Sequence, residues 1–137
     1  MGVLTSVACN VVTGHTATVG DGRLCLRPTE SVRSADPLIT SVAESYGPRA
    51  MAVVLTGRLD DGAAGVRAVK RHGGRTLAQD PRTAQAAAMP AAALATGCID
   101  LVMPLAHISH ALVALAMAPG GASLFRVPAA PWAHLAA

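Results

Sequence analysis

Two carboxylates, Asp60 and Asp61, stand side by side in the segment TGRLDDGAAG, residues 56–65. The segment follows the apolar run MAVVL, residues 51–55, whose shortness and valines predict a strand buried on both faces. In open α/β sheets ligands gather at the carboxyl ends of the strands, so this loop is where chemistry is expected. A carboxylate there can act as a catalytic acid. It can also cap the helix that follows, accepting its first N–H groups for about 1 kcal/mol, and caps are the commoner use of such residues. A phosphate cradle is the third reading, because Gly57, Gly62 and Gly65 punctuate the loop. Their spacing fits neither GxGxxG nor GxxxxGK[ST], and adjacent carboxylates repel phosphate.

Other residue types with chemical potential are scattered. Cys9, Cys25 and Cys98 are odd in number and far apart, which predicts neither a zinc site nor a disulfide framework and suits a reducing compartment. His107 and His110 lie three apart without an evident third ligand, so no metal or other cofactor is expected. His72 falls where a helix should end, a favourable place for partial positive charge. Arg67, Lys70 and Arg71 share a helix face and read as a solvated surface. The net charge is +3 and only 2% of residues are aromatic, so neither the basic stripe nor the stacking side chains of a nucleic-acid surface are present. No apolar run approaches the roughly 20 residues of a membrane helix, and no basic residue precedes the apolar N-terminal stretch as in a signal peptide. A cytoplasmic protein without membrane insertion is expected.

The elements that must hold the loop follow from periodicity. Residues 6–12 can form a strand. Residues 16–19 and 23–27 flank Gly20-Asp21-Gly22, a hairpin signal. Leu38, Ile39, Val42, Ala43 and Tyr46 mark one helical face, with Asp36 as cap, Pro37 at the first position and Gly47-Pro48 as stop. Residues 62–72 read as a helix ended by Gly73-Gly74, residues 75–79 as a strand broken at Asp80-Pro81, and residues 83–96 as two short helices, the second starting at Pro90. Residues 99–103 read as a strand, and Ile108, Leu112, Val113 and Leu115 mark a last helix. The expected fold is therefore α/β: a three-layer, mostly parallel sheet with helices on both faces and an N-terminal β-hairpin. Its core is built from small aliphatic side chains, in a domain spanning residues 1–118, with a loose Pro/Gly/Ala-rich tail at 119–137.

Several motifs occur together in one order. They are Thr56-Gly57, Asp61-Gly62-Ala63, Gly65, Gly73-Gly74, Gln79-Asp80-Pro81, Met89-Pro90, Gly97 and Pro104, preceded by Asp36-Pro37-Leu38 and Glu44-Ser45-Tyr46-Gly47. Over residues 35–118 this pattern resembles the C-terminal part of CheB-type protein-glutamate methylesterase domains, with their TGMGxDGAxG loop, QDP turn and Met-Pro helix. The resemblance implies hydrolysis of glutamate methyl esters on chemotaxis receptors by a Ser-His-Asp triad, with a methylated receptor as protein substrate. It places the triad carboxylate at Asp61, and it makes Thr56, Gly57, Arg58 and Gly62 the active-site loop. Arg58 and Leu59 stand where the family has Met and Gly, and Leu59 takes positive φ less cheaply than Gly. The family's Ser and His motifs, GASTGG and QHMP, do not occur in this sequence. The expectation is a domain truncated at its N-terminus and inactive as an isolated chain. The alternatives are a non-catalytic remnant that binds a receptor or partner, and a hydrolase using another Ser and His. A sheet shortened in this way exposes a strand edge, so self-association through that edge is also expected.

Overall fold

The computed structural model describes residues 14–117. The expected strand at 6–12 and the expected tail at 119–137 lie outside those residues, as do Cys9 and His134. The described part opens with a hairpin, β1 (His15–Gly20) and β2 (Arg23–Pro28), paired antiparallel from His15↔Pro28 to Gly20↔Arg23. Its two-residue turn has φ of 50° at Asp21 and 70° at Gly22, the doubly positive geometry that matches the right-handed twist of the flanking strands. β1 lies against the first helix, α1 (Ala35–Tyr46): the Val19 N–H donates to Ser41 Oγ at 2.8 Å and Ser45 Oγ donates to the Val19 carbonyl at 3.1 Å.

The helix begins earlier than Asp36, at Ala35, and Asp36 is not its cap. The N-cap is Ser34, whose side chain makes no cap bond; the first amides of α1 are served from another part of the chain, as described below. Gly47 closes the helix at φ 54°, and Pro48 carries the chain through a 3-10 turn.

Next come β3 (Met51–Val54), α2 (Ala63–Arg71), β4 (Arg75–Gln79), α3 (Ala88–Ala95), β5 (Leu101–Met103) and α4 (Leu105–Met117). The three strands form a parallel sheet in the order β3-β4-β5. Ala52 packs with Ala43, Ala68 and Val69, and Val54 with Val66, Ala93 and Cys98, so α1, α2 and α3 share one face of the sheet. Leu77, paired with Val53, points to the other face and is fully buried, and α4 packs on β4. The small side chains let the layers approach closely. At Gly65 an added Cβ would stand 2.6 Å from Ile39 Cβ, so α1 and α2 cross where α2 has no side chain.

Three further expectations need correction. β3 is buried on one face only, since Met51 and Val53 are half-buried; it lies at the edge of the described sheet, whereas the central β4 is buried at every position. Residues 83–96 form one helix rather than two. α3 starts two residues before Pro90, within the first turn, where a missing N–H costs nothing. Ahead of it lies only a 3-10 turn at Pro81–Thr83, because residue 86 is drawn into hydrogen bonds with the loop after β3. Finally, Lys70 is not on a solvated face. Its side chain and that of Asp100 are each 5% exposed and form an ion pair. Asp100 also accepts from the Thr76 N–H at 3.0 Å and the Thr76 hydroxyl at 3.2 Å, which ties the loop before β5 to β4.

Candidate active site

The loop between β3 and α2 is clamped at its start, at the carboxyl end of the sheet. Gln79 closes β4, is 3% exposed, and uses both ends of its amide: Oε1 accepts from the Thr56 N–H at 3.1 Å, and Nε2 donates to the Thr83 carbonyl at 3.2 Å. The Thr56 hydroxyl accepts from the Ala86 N–H at 2.8 Å. Gly57 exchanges two backbone bonds with the start of α3, its N–H to the Ala86 carbonyl at 2.9 Å and its carbonyl from the Met89 N–H at 3.0 Å. A Cβ at residue 57 would stand 2.0 Å from Met89 Sδ, so any side chain there would have to displace that of Met89. Beyond this clamp Arg58 and Leu59 are exposed. Leu59 does not take positive φ; among the described residues Asp21 is the one non-glycine that does.

The two adjacent carboxylates part company. Asp60 is exposed and pairs with Arg33 at 2.9 Å. Asp61 is 7% exposed, and both its oxygens accept backbone N–H bonds from the first turn of α1: Oδ2 from Ala35 and Oδ1 from Asp36, each at 2.9 Å. Neither side chain caps α2, as the cap reading of this loop would have it. The N-cap of α2 is Gly62, at φ 96°, and the Gly65 N–H in its first turn donates to Asp36 Oδ1 at 2.8 Å. Asp80, on the neighbouring turn, is chelated by the Arg82 guanidinium at 2.6 to 3.1 Å, and that hydrogen bonding holds its carboxyl below the usual carboxylate range; the Arg82 N–H adds to the effect.

The residues expected at the site are thus together. Thr56, Gly57, Arg58, Asp61 and Gly62 form one loop at one end of the sheet. A family model described as CheB methylesterase matches residues 8–112. The chain belongs to the CheB methylesterase family. The protein-glutamate methylesterase/protein-glutamine glutaminase of Moorella thermoacetica is 47% identical over 87 residues, covering 64% of this chain and 20% of that protein. The protein-glutamate methylesterase FrzG of Myxococcus xanthus is 41% identical over 97 residues, covering 68% of this chain and 29% of that one. In structure the chain is similar to the Thermotoga maritima CheB methylesterase catalytic domain, with a TM-score of 0.64 and 31% identity over 74% of this chain and 57% of that domain. The chain therefore spans under a third of these two curated relatives and a little over half of the Thermotoga domain.

Within this CheB-family domain three of the described serines and one histidine bond to backbone groups. Ser41 and Ser45 bond to β1, Ser41 also to the Leu38 carbonyl, and Ser31 accepts from the Arg33 N–H. His72 Nδ1 lies 2.8 Å from the Ala68 carbonyl at the C-terminal end of α2. His107 and His110 are exposed on α4, and no group of three potential metal ligands occurs among the described residues. No described helix is long and apolar enough to cross a membrane. Sequence reasoning missed Gln79, Met89 and Asp36. The first two were visible as the Gln-Asp-Pro and Met-Pro motifs, but nothing local to them shows that they hold residues 56 and 57.

Proposed function

We propose that this chain supplies the carboxylate half of a protein-glutamate methylesterase site, with methylated glutamates on a chemotaxis receptor as substrate. The observation that carries the reading is Asp61. It is a buried carboxylate held rigid beside a clamped loop at the carboxyl ends of the strands. Each carboxylate oxygen has two lone pairs, so both can hold α1 and still accept from an imidazole N–H. In such a triad a serine attacks the ester carbonyl while the imidazole takes its proton and later returns it to departing methanol. Water then cleaves the acyl-enzyme to leave glutamate. The carboxylate keeps the imidazole in one tautomer. The amides of Thr56 and Gly57 are spent on Gln79 and Ala86, so the Arg58 N–H is the loop's first candidate donor to the oxyanion. This chemistry needs no metal or cofactor.

Serine and imidazole must come from a segment that carries the family's other two motifs. On this reading residues 1–137 alone hydrolyse nothing. The protein works in the cytoplasm, and the edge of β3 is where self-association would occur. A second reading is a receptor-binding remnant in which Asp61 only caps α1; the engagement of both its oxygens favours it.

One experiment separates the two. Residues 14–117 replace the matching part of the Thermotoga catalytic domain, and methanol release from methylated receptor is measured. The triad reading expects release by the chimera, none by the chain alone, and a fall on the order of 10⁴-fold in kcat with Asp61→Asn. A folded but inactive chimera sinks the enzymatic reading, and one indifferent to Asp61→Asn removes Asp61 from the triad.

A further inference from the structure

An α-helix begins with N–H groups that have no partner within it. Both helices that meet at the active-site loop lack a local side chain to supply one, because Gly62 has none and that of Ser34 makes no cap bond. Each helix borrows from the other. Asp61, just ahead of α2, takes the Ala35 and Asp36 N–H groups of α1, while Asp36, in the first turn of α1, takes the Gly65 N–H of α2. The bonds close a ring that runs from Asp61 to the first turn of α1, through the Asp36 side chain to the first turn of α2, and back along the chain to Asp61. The close crossing of Gly65 and Ile39 leaves the two helix starts little room to slide.

We propose that Asp36 is a positioning residue that fixes the direction of the Asp61 carboxylate; its bearing on catalysis rests on the triad reading of Asp61. A carboxylate that steers an imidazole must present one oxygen in a constant direction. The α1 amides that set this direction are themselves registered against the Asp61 loop by Asp36. If Asp36 served α2 alone, its removal would loosen the Gly65 amide and leave the Ala35 bond to Asp61 intact.

The test is amide hydrogen exchange in the full chain, followed by NMR. With Asp36→Ala, exchange at Ala35 and Gly65 should quicken on the order of tenfold or more relative to Leu77 in β4, which serves as the gauge of overall opening. Asp36→Asn keeps an oxygen for Gly65 and should return Ala35 to within about threefold of the native rate. Unchanged Ala35 exchange in Asp36→Ala overturns the proposal. If that variant does not fold, the Asn variant decides, since a tenfold rise at Ala35 with the acceptor in place overturns it equally. In the Thermotoga chimera Asp36→Ala should lower kcat with little change in KM, and Asn should rescue it. Ala35 exchange that follows Asp36 in a chimera indifferent to Asp61 would uphold the ring and reject the triad reading.

Discussion

Removing the carboxylate of Asp100 should be among the costlier single changes in the described domain. Its side chain and that of Lys70 are each 5% exposed, so Asp100→Ala strands a buried ammonium. Breaking a buried ion pair from one side costs about 3–5 kcal/mol. The same change takes the acceptor from the Thr76 N–H, a buried backbone donor whose orphaning costs roughly 1–3 kcal/mol when water does not replace the partner. The two costs overlap, because whatever lets water reach Lys70 also wets Thr76. We therefore expect about 3–5 kcal/mol in total, comparable to much of the stability of a small domain. Asp100→Asn combined with Lys70→Met tests the cause. It removes both charges and keeps an oxygen for the Thr76 amide, so it should lie within about 1–2 kcal/mol of the native protein. Urea unfolding followed by circular dichroism gives both numbers, provided the m-value is unchanged. A loss below about 1 kcal/mol for Asp100→Ala, or a double variant no better than the single, would refute the view that the stranded charge dominates.

Three further outcomes are expected. Gln79→Leu takes the acceptor from the Thr56 N–H, which lies near solvent, and should cost about 0.5–1.5 kcal/mol, with a larger rise in amide exchange at Thr56 than at Leu77. Gly57→Ala drives a methyl into Met89 and should cost about 1–3 kcal/mol in urea melts, part of which Met89→Ala recovers by opening the space. The Asp80 carboxyl titrates lower in the folded chain than unfolded, so its contribution is complete above the unfolded value of about 3.9 and is lost as pH falls through the lower folded value. The Arg82 and Thr83 amides should accordingly exchange faster, relative to Leu77, only below about pH 4, and Asp80→Asn should abolish that dependence.

What the sequence revealed was what neighbouring residues decide among themselves. β4 occupies residues 75–79 as its pattern predicts, the hairpin turns at Asp21-Gly22, and α2 stops where Gly73 takes φ 82°. Each depends on residues within a few positions of one another. The misplaced features have distant causes. α1 starts earlier than its own residues suggest because a carboxylate some 25 residues downstream serves its first amides. Residues 84–87 do not form the expected extra helix because residue 86 bonds to Thr56 and Gly57. Lys70 leaves its solvated helix face because Asp100 offers a partner inside.

The same division runs through the candidate site. The loop's place was readable, since a short apolar strand running into glycines and carboxylates puts residues 56–62 at the sheet's carboxyl end. The resemblance picks out Asp61 over Asp60, but the local chemistry does not, since residues 60 and 61 have the same side chain and adjacent positions. What separates them is the direction each faces once α1 has docked: Asp60 meets Arg33 in solvent, and Asp61 meets a helix start with two amides to satisfy. A carboxylate in the second setting is held by donors it did not choose locally, and it keeps its orientation only as long as α1 stays. Any role Asp61 has in orienting a base is therefore inseparable from the packing of α1 on α2, which makes Ile39, Gly65 and Asp36 as consequential for the site as the residues of the loop itself.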